Sequence, residues 1–362
     1  MIYTLCAALG KHPSREAGPR RRPASRITMA IGPAHESKTQ PCGGARRWRA
    51  KAIRAWRRDF HNVFGSETVE RIGIIGGSGL GPRLLSPGQG RAVALATPFG
   101  PPAAPPILAD WEGIPLAVLA RHGDGHVYNP TRVPYRANIF ALKLLGCRWI
   151  LAGGAVGSLN ETFAPRDLVL IDQAIDRTAH RPGTFFDDAA VHVDFAQPVC
   201  EKLREIIYRS RVDLPGSLSV HPRGTYLCME GPAFSTRAES RLHRAWGADV
   251  VGMTLLPEAK LAREAQISYA SIALVTDYDS WKPHPPGQPP RELMREIVDH
   301  LAGATENALA LIRAALPRLW AARHEEFPPH QALELAIWSD KSKISAQTRQ
   351  KLAPLWERYL PS

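Results

Sequence analysis

Four polar residues of this chain stand directly after short apolar runs, and their types suit an oxyanion. Ser78 ends Gly76-Gly77-Ser78 after the β-branched run Ile72–Ile75; Arg121 and His122 follow Leu116–Leu119; Thr254 follows Val250–Met253. Glycines let backbone N–H groups approach a ligand, and such turns at the carboxyl ends of parallel strands collect anions. A guanidinium, an imidazole and two hydroxyls can hold a phosphate by charge-assisted bonds. Each group alone has an ordinary reading. The glycines make a tight turn, Arg-His is a common dipeptide, and Thr254 can cap the helix that Pro257 helps start. Their shared position after strands raises the functional reading. The glycine stretch is neither the dinucleotide fingerprint nor a P-loop. Its spacing is wrong for G-x-G-x-x-G, position 82 is Pro, and no Gly-Lys-Ser/Thr follows.

A second constellation is Thr276-Asp277-Tyr278-Asp279-Ser280-Trp281, after the apolar strand Ser271–Val275. A lone Asp in such a place is usually a solvated loop residue or a helix cap. Two carboxylates at the carboxyl end of an α/β strand are where ligands bind.

The elements that must position these groups alternate between strands and helices. Strands are expected at 72–75, 116–119, 149–151, 168–171, 225–229, 250–253 and 272–275, and helices at 134–145, after Thr236, and at 292–315. Thr236 and Glu239 have capping-box spacing. The pattern is that of an α/β fold with a mostly parallel sheet. Residues 1–66 form a basic arm short of apolar periodicity, expected to be disordered; 67–318 form the catalytic domain; 319–362, after the Pro-rich Phe327-Pro-Pro-His330, form a C-terminal helical appendage.

The net charge of +12 sits in the arm, because residues 1–58 hold 14 basic residues against two acids and the remainder holds 32 of each sign. The body is neutral, so its charge gives no argument for a nucleic-acid enzyme. Three readings of the arm stay open: an over-long start, a binder of an acidic partner such as nucleic acid, or an Arg-rich targeting peptide. No apolar run is long enough to span a bilayer. The five cysteines, at 6, 42, 147, 200 and 228, have neither metal nor redox spacing, so a reducing cytosol is the expected compartment.

The order of motifs resembles the S-methyl-5′-thioadenosine phosphorylases, within the trimeric purine nucleoside phosphorylase family. The strings that carry it run colinearly from Ile72-Gly-Ile-Ile-Gly-Gly-Ser-Gly-Leu80 through Thr97-Pro-Phe-Gly100, Leu119-Ala-Arg-His-Gly123 and Tyr135-Arg-Ala-Asn-Ile139. They continue with Ile171-Asp-Gln-Ala-Ile-Asp-Arg-Thr178, Glu230-Gly-Pro232, Phe234-Ser-Thr-Arg-Ala-Glu-Ser240, Trp246-Gly-Ala-Asp249, Gly252-Met-Thr254 and Tyr269-Ala-Ser-Ile272 with Thr276-Asp-Tyr-Asp279.

The resemblance implies a single-domain nucleoside phosphorylase-like fold, with a central mixed sheet flanked by helices. It implies that phosphate and methylthioadenosine give adenine and methylthioribose 1-phosphate, in a homotrimer without metal or organic cofactor. It assigns Ser78, Arg121, His122, Gly154, Ala155 and Thr254 to phosphate. Ala155 and Met253 line ribose and base, with Phe234 beside the substrate, and Asp277 and Asp279 read the purine and assist its departure. Ser235 and the Pro-rich stretch ending at Pro290 bear on substrate choice. A carboxylate accepts from a 6-amino group and repels a 6-oxo group, so the chain reads as 6-aminopurine-selective. Two positions depart from the family pattern. Gly154 stands where a Thr is common, and Ala233 where an Arg is common. Two alternatives remain: phosphorolysis of adenosine or 5′-deoxyadenosine, and a catalytically weak purine-binding protein tethered by its arm.

Overall fold

Apolar residues alternate along the strand sequences in a way that feeds two cores at once. Ile72, Ile74, Trp149 and Leu151 enter one cluster, while Ile75, Ile150 and Ala152 enter another. A period of two sends successive side chains to opposite faces, so a sheet covered on both sides is required. The computed structural model describes residues 69–77, 80–85, 89–214, 216, 218–283, 287 and 289–360. The basic arm and Ser78 lie outside these residues.

In chain order the strands are β1 (Arg71–Gly76), β2 (Arg91–Ala92), β3 (Ile107–Trp111), β4 (Ile114–Ala120), β5 (Cys147–Ser158) and β6 (Leu168–Leu170). They continue with β7 (Gln173–Arg177), β8 (Val220–His221), β9 (Thr225–Met229), β10 (Val250–Gly252) and β11 (Ser268–Tyr278). All eleven join one mixed sheet, with β2-β3-β4-β1-β5-β10-β9-β7 as its main path. The helices are α1 (Leu80–Leu84), α2 (Tyr135–Leu144), α3 (Glu201–Arg209), α4 (Arg237–Ala245), α5 (Glu258–Glu264), α6 (Pro290–Ala321), α7 (Ala346–Lys351) and α8 (Ala353–Trp356). Residues of α1, α3 and α6 fill one core; α2, α5 and the C-terminal tail fill the other. Thr236 caps α4 through its bond from Glu239 N, with the reciprocal bond completing the capping box. No helix among the described residues is long and apolar enough to cross a membrane.

β5 organises the sheet. Along one edge it is paired in parallel by β11, from Trp149 opposite Ser268 to Ser158 opposite Tyr278. Its other edge is shared between two strands. β1 runs parallel as far as Ile75 opposite Ala152, and β10 arrives antiparallel, pairing only Gly157 and Ser158. The backbone edge from Gly153 to Val156 is left between the ends of β1 and β10. The sequence reading put a strand over 149–151 followed by a glycine-rich turn. The structure instead continues the strand through the glycines to Ser158, because β11 pairs that half as well.

The C-terminal segment also differs from expectation. α6 continues to Ala321, so a boundary at 318 falls inside a helix. The tail is not one helix but short pieces. Asp340 and Ser345 each cap a new turn with their side chains, and Pro354 sits in the first turn of α8. Nor does it pack as an appendage. Leu352, Leu355 and Trp356 are buried in the same core as Phe140 and Leu261, and the Trp356 ring lies 4.9 Å from that of Phe186. Trp356 has 0% exposure, so Trp356→Ala should cost about 3–5 kcal/mol. Denaturant unfolding should show the main transition shifted as a whole; an unshifted main transition would mean that the tail folds apart from the domain.

Candidate active site

The uncovered edge of β5 is where Arg121 and Thr254 meet, two of the four candidate anion donors; Ser78 lies outside the described residues. β4 lies beside β1 with Ala120 opposite Gly76, and Arg121 N donates to Gly76 O at 3.0 Å. Gly77 therefore faces the residue after β4. A Cβ built on Gly77 would stand 3.4 Å from Arg121 Nη1, and one on Gly154 would stand 3.8 Å from Nη1 and 3.4 Å from Thr254 Oγ1. Gly77, Arg121, Gly154 and Thr254 thus converge, although they come from four different strands. Thr254 reaches this point because β10 runs against β5. Its backbone is held by a bond from Thr254 N to Tyr226 Oη, 3.3 Å. Gly252 allows that approach, since a Cβ there would lie 2.0 Å from the same hydroxyl. Gly154 is where the departure from the family pattern falls, between the guanidinium and the threonine. The other departure, Ala233, is exposed.

Arg121 is almost completely buried, and its fork is not free. Nε and Nη2 donate to Glu258 Oε2 and Oε1 at 2.7 and 2.9 Å, and Nη1 donates to Gly153 O at 2.9 Å. Glu258 has 0% exposure and also accepts from Tyr269 Oη at 2.8 Å. Burial by itself would lower the Arg121 pKa, but the Glu258 carboxylate outweighs it and the guanidinium is held firmly charged. Five N–H groups less three bonds leave two donors, one each on Nη1 and Nη2. The Nη1 end lies against Gly77 and Gly154. The Nε–Nη2 side of the fork is spent on Glu258, and a ligand would meet its flank.

His122 offers something other than a cation. Its Nδ1 lies 2.8 Å from Tyr128 O, and a carbonyl has no proton to give, so Nδ1–H donates. Burial, Arg121 and the stacked His126 ring, 4.1 Å away, push its pKa down to about 3. The imidazole is neutral at pH 7, and Nε2 is an acceptor. It can receive the P–OH of hydrogenphosphate.

Farther along β5 lies the acidic pair. Asp277 is opposite Gly157, past a register shift between Val275 and Asp277. Thr276 Oγ1 donates to Asp277 Oδ1 at 2.6 Å. Asp279 is buried, and its Oδ2 has no hydrogen-bond partner among the described residues. Asp279 N is tied to Ser158 O, and Trp281 Nε1 to the same carbonyl, fixing the turn. Met253 is half-buried next to Thr254, its carbonyl bonded by Arg181. Ser235 is buried with Oγ 3.7 Å from Met229 Sδ, while Phe234 is half exposed. Ala155 is exposed on the open part of β5, and Pro290 is exposed at the start of α6, next to a loop partly outside the described residues.

Sequence reasoning did not single out Glu258 or Arg181, and gave Tyr269 no role. Arg181 is nearly buried and donates to Leu256 O at 2.8 Å, to the carbonyls of Met253 and Glu230, and to Glu230 Oε1 at 3.2 Å. It clamps the segment after β9 to the segment after β10. Burial would raise the Glu230 carboxyl, but bonds from Thr131, Ala179 N and Arg181 hold it at about 2. Nothing in the sequence marked Glu258, because its helix, EAKLARE, carries three other charged residues, Lys260, Arg263 and Glu264.

A profile described as the Phosphorylase superfamily matches residues 71–317. An S-methyl-5′-thioadenosine phosphorylase from Gloeobacter violaceus is 46% identical over 295 residues, 80% of this chain and 96% of its own length. One from Thermosynechococcus vestitus is 45% identical over 296 residues, 80% of this chain and 99% of its own. Among solved structures, a methylthioadenosine phosphorylase sourced from an antarctic soil metagenomic library superposes with TM-score 0.72 at 43% identity, over 80% of this chain and 99% of that one. The Schistosoma mansoni methylthioadenosine phosphorylase in complex with tubercidin gives 0.63 at 36%, over 70% and 93%. The strand order, the open edge of β5 and these likenesses agree: the chain belongs to the phosphorylase superfamily and, within it, to the family of the S-methyl-5′-thioadenosine phosphorylases.

Proposed function

We propose that this protein catalyses phosphorolysis of S-methyl-5′-thioadenosine, giving adenine and 5-methylthioribose 1-phosphate. The observation that carries the reading is the open stretch of β5, with anion donors around Gly154 and the acidic pair opposite Gly157. Three residues along a strand span about 10 Å, room for a ribose between a phosphate and a purine.

Phosphate is already a nucleophile at neutral pH, so no side chain need be activated. Arg121, Thr254 and the backbone at Gly77 would hold it against C1′, with Ser78 and Ala155 as further contacts, while neutral His122 accepts a hydrogen bond from its remaining P–OH. A C1′–O bond forms as the C1′–N9 bond breaks, and positive charge builds on the ribose beside the anion. The electron pair leaves with the purine, which takes a proton at N7 from solvent. Asp277 stabilises that N7–H and accepts from the 6-amino group, and Asp279, with its unpartnered oxygen, completes the base contact. Met253, Phe234 and Ser235 would border ribose and base.

The same reading includes inorganic phosphate as the only co-substrate, no metal or organic cofactor, a cytosolic location and a homotrimer. Val127, Phe234 and Trp246 support the last point, as exposed apolar side chains on segments near the site. The basic arm is the part suited to an acidic partner. A second reading, adenosine as substrate, is favoured by the relative named adenosine/methylthioadenosine phosphorylase from Schistosoma mansoni; a double mutant of it, in complex with adenine, superposes with TM-score 0.64 at 35% identity.

Release of adenine from methylthioadenosine should depend on phosphate. Arg121→Ala would leave Glu258 as an unpaired buried charge, at about 3–5 kcal/mol in stability, so Arg121→Lys is the cleaner variant. It should fold and raise the phosphate KM by roughly tenfold to a hundredfold. Phosphate kinetics equal to wild type would place the anion elsewhere. No adenine release by wild type at any phosphate concentration would leave the purine-binding reading. Asp277→Asn exchanges an acceptor-only group for one that can donate to O6. The adenine-to-hypoxanthine ratio of kcat/KM should fall by about tenfold or more; an unchanged ratio would remove Asp277 from base reading.

A further inference from the structure

The strand ends opposite the active site carry a second collection of cations. A cleft of about 760 Å³ opens there, bordered by Glu70 before β1, Lys143 at the end of α2, Arg148 at the start of β5, Gln266 before β11, and His330, Glu357 and Arg358 from the tail. Arg148 and Arg358 are anchored. Arg148 Nη1 pairs with Glu70 at 2.5 Å and Nη2 lies 2.8 Å from His330 Nδ1, while Arg358 Nη2 donates to Gln266 Oε1 at 2.6 Å and to His330 O at 2.7 Å. Arg358 has no carboxylate partner among the described residues. His330 adds no charge at neutral pH, because burial and the cations around it take its pKa down to about 4.

Lys143 differs from its neighbours. It is half-buried, and among the described residues its ammonium has neither a carboxylate partner nor a hydrogen bond. Burial, Arg358 and Arg148 together bring its pKa down to about 8. The end of α2 accounts for part of its presence, since a cation suits a helix C-terminus. It does not account for two guanidinium groups gathered around the same opening, nor for the apolar wall that Pro354 and Leu355 give it.

We propose that this cleft is a binding site for a small organic anion bearing a phosphate or polyphosphate group. Lys143 and Arg358 supply the charge, and the tail supplies the wall. The site is distinct from the phosphate site at Gly154, because it lies at the amino ends of the strands whose carboxyl ends form that site. The volume exceeds that of a bare phosphate and suits a mononucleotide. A ligand anion would balance the excess of three cations over the carboxylates of Glu70 and Glu357, which is the physical reason for expecting one.

The test is titration of the full-length protein with CTP and, separately, with inorganic tripolyphosphate, which lacks the organic part. CTP avoids competition for an adenine-reading site. A basic arm would attract polyanions too, so the Lys143→Gln variant is titrated in parallel and its residual binding is taken as the arm's share. The expected result is a saturable component for CTP that weakens by about tenfold or more in Lys143→Gln, with phosphorolysis unchanged. Acetylation of Lys143 followed by mass spectrometry gives a second reading without a variant, and CTP should protect the residue. Equal loss of CTP and tripolyphosphate in the variant would assign the site to the anion alone, and overturn the organic part of the proposal. Identical titrations of both proteins, with no protection of Lys143, would overturn it altogether.

Discussion

The site depends on one buried ion pair. Arg121 and Glu258 are both removed from solvent, and each would be costly there without the other. Two guanidinium–carboxylate bonds, a bond to Gly153 O and the Tyr269 hydroxyl satisfy most of their hydrogen-bonding capacity. The consequence is directional. A guanidinium locked by a carboxylate behind it has its remaining N–H groups aimed one way, with no side-chain freedom left to lose when an anion arrives. Preorganised donors of this kind are worth more than mobile ones of equal charge. The pair also ties β4, which delivers Arg121, to α5 and β11, which deliver Glu258 and Tyr269.

The second constraint is topological. A strand has two edges, and β5 gives one entirely to β11 while dividing the other between β1 and β10. Opposed directions leave the ends of β1 and β10 facing each other across Gly153–Val156. The carboxyl end of β1 brings Gly77 from one side, and β10 brings Thr254 from the other. A wholly parallel sheet would have carried Thr254 away from this point. The close packing of Tyr226 against Gly252 lets β10 and β9 sit near enough for the contact to form.

Much of this was legible in the sequence. The strands around Ile72, Leu116, Thr225 and Ile272 were readable because β-branched and apolar runs are sharply bounded by glycine and polar residues. Arg121, Thr254 and Asp277 were readable because chemistry-bearing side chains stand where those runs stop. What could not be read is pairing over distance. Glu258 lies 137 positions from Arg121, and nothing local to either names the other. The neutral state of His122 follows from burial, the Arg121 guanidinium and a stacked ring, a setting that only the folded chain supplies. The tail was misjudged for a related reason: its apolar residues have a helical look, but Trp356 is held by the core rather than by its own helix.

The most direct measurement of the central claim is steady-state kinetics of Glu258→Gln with phosphate and nucleoside varied separately. Gln keeps the shape of the side chain but removes the charge that locks the guanidinium. If the pair aims the anion site, kcat/KM for phosphate should fall by about tenfold or more in a cooperatively folding protein, while the nucleoside KM stays within about twofold. A folded Glu258→Gln with wild-type phosphate kinetics would contradict the account, since Arg121 would then need no partner to hold the anion.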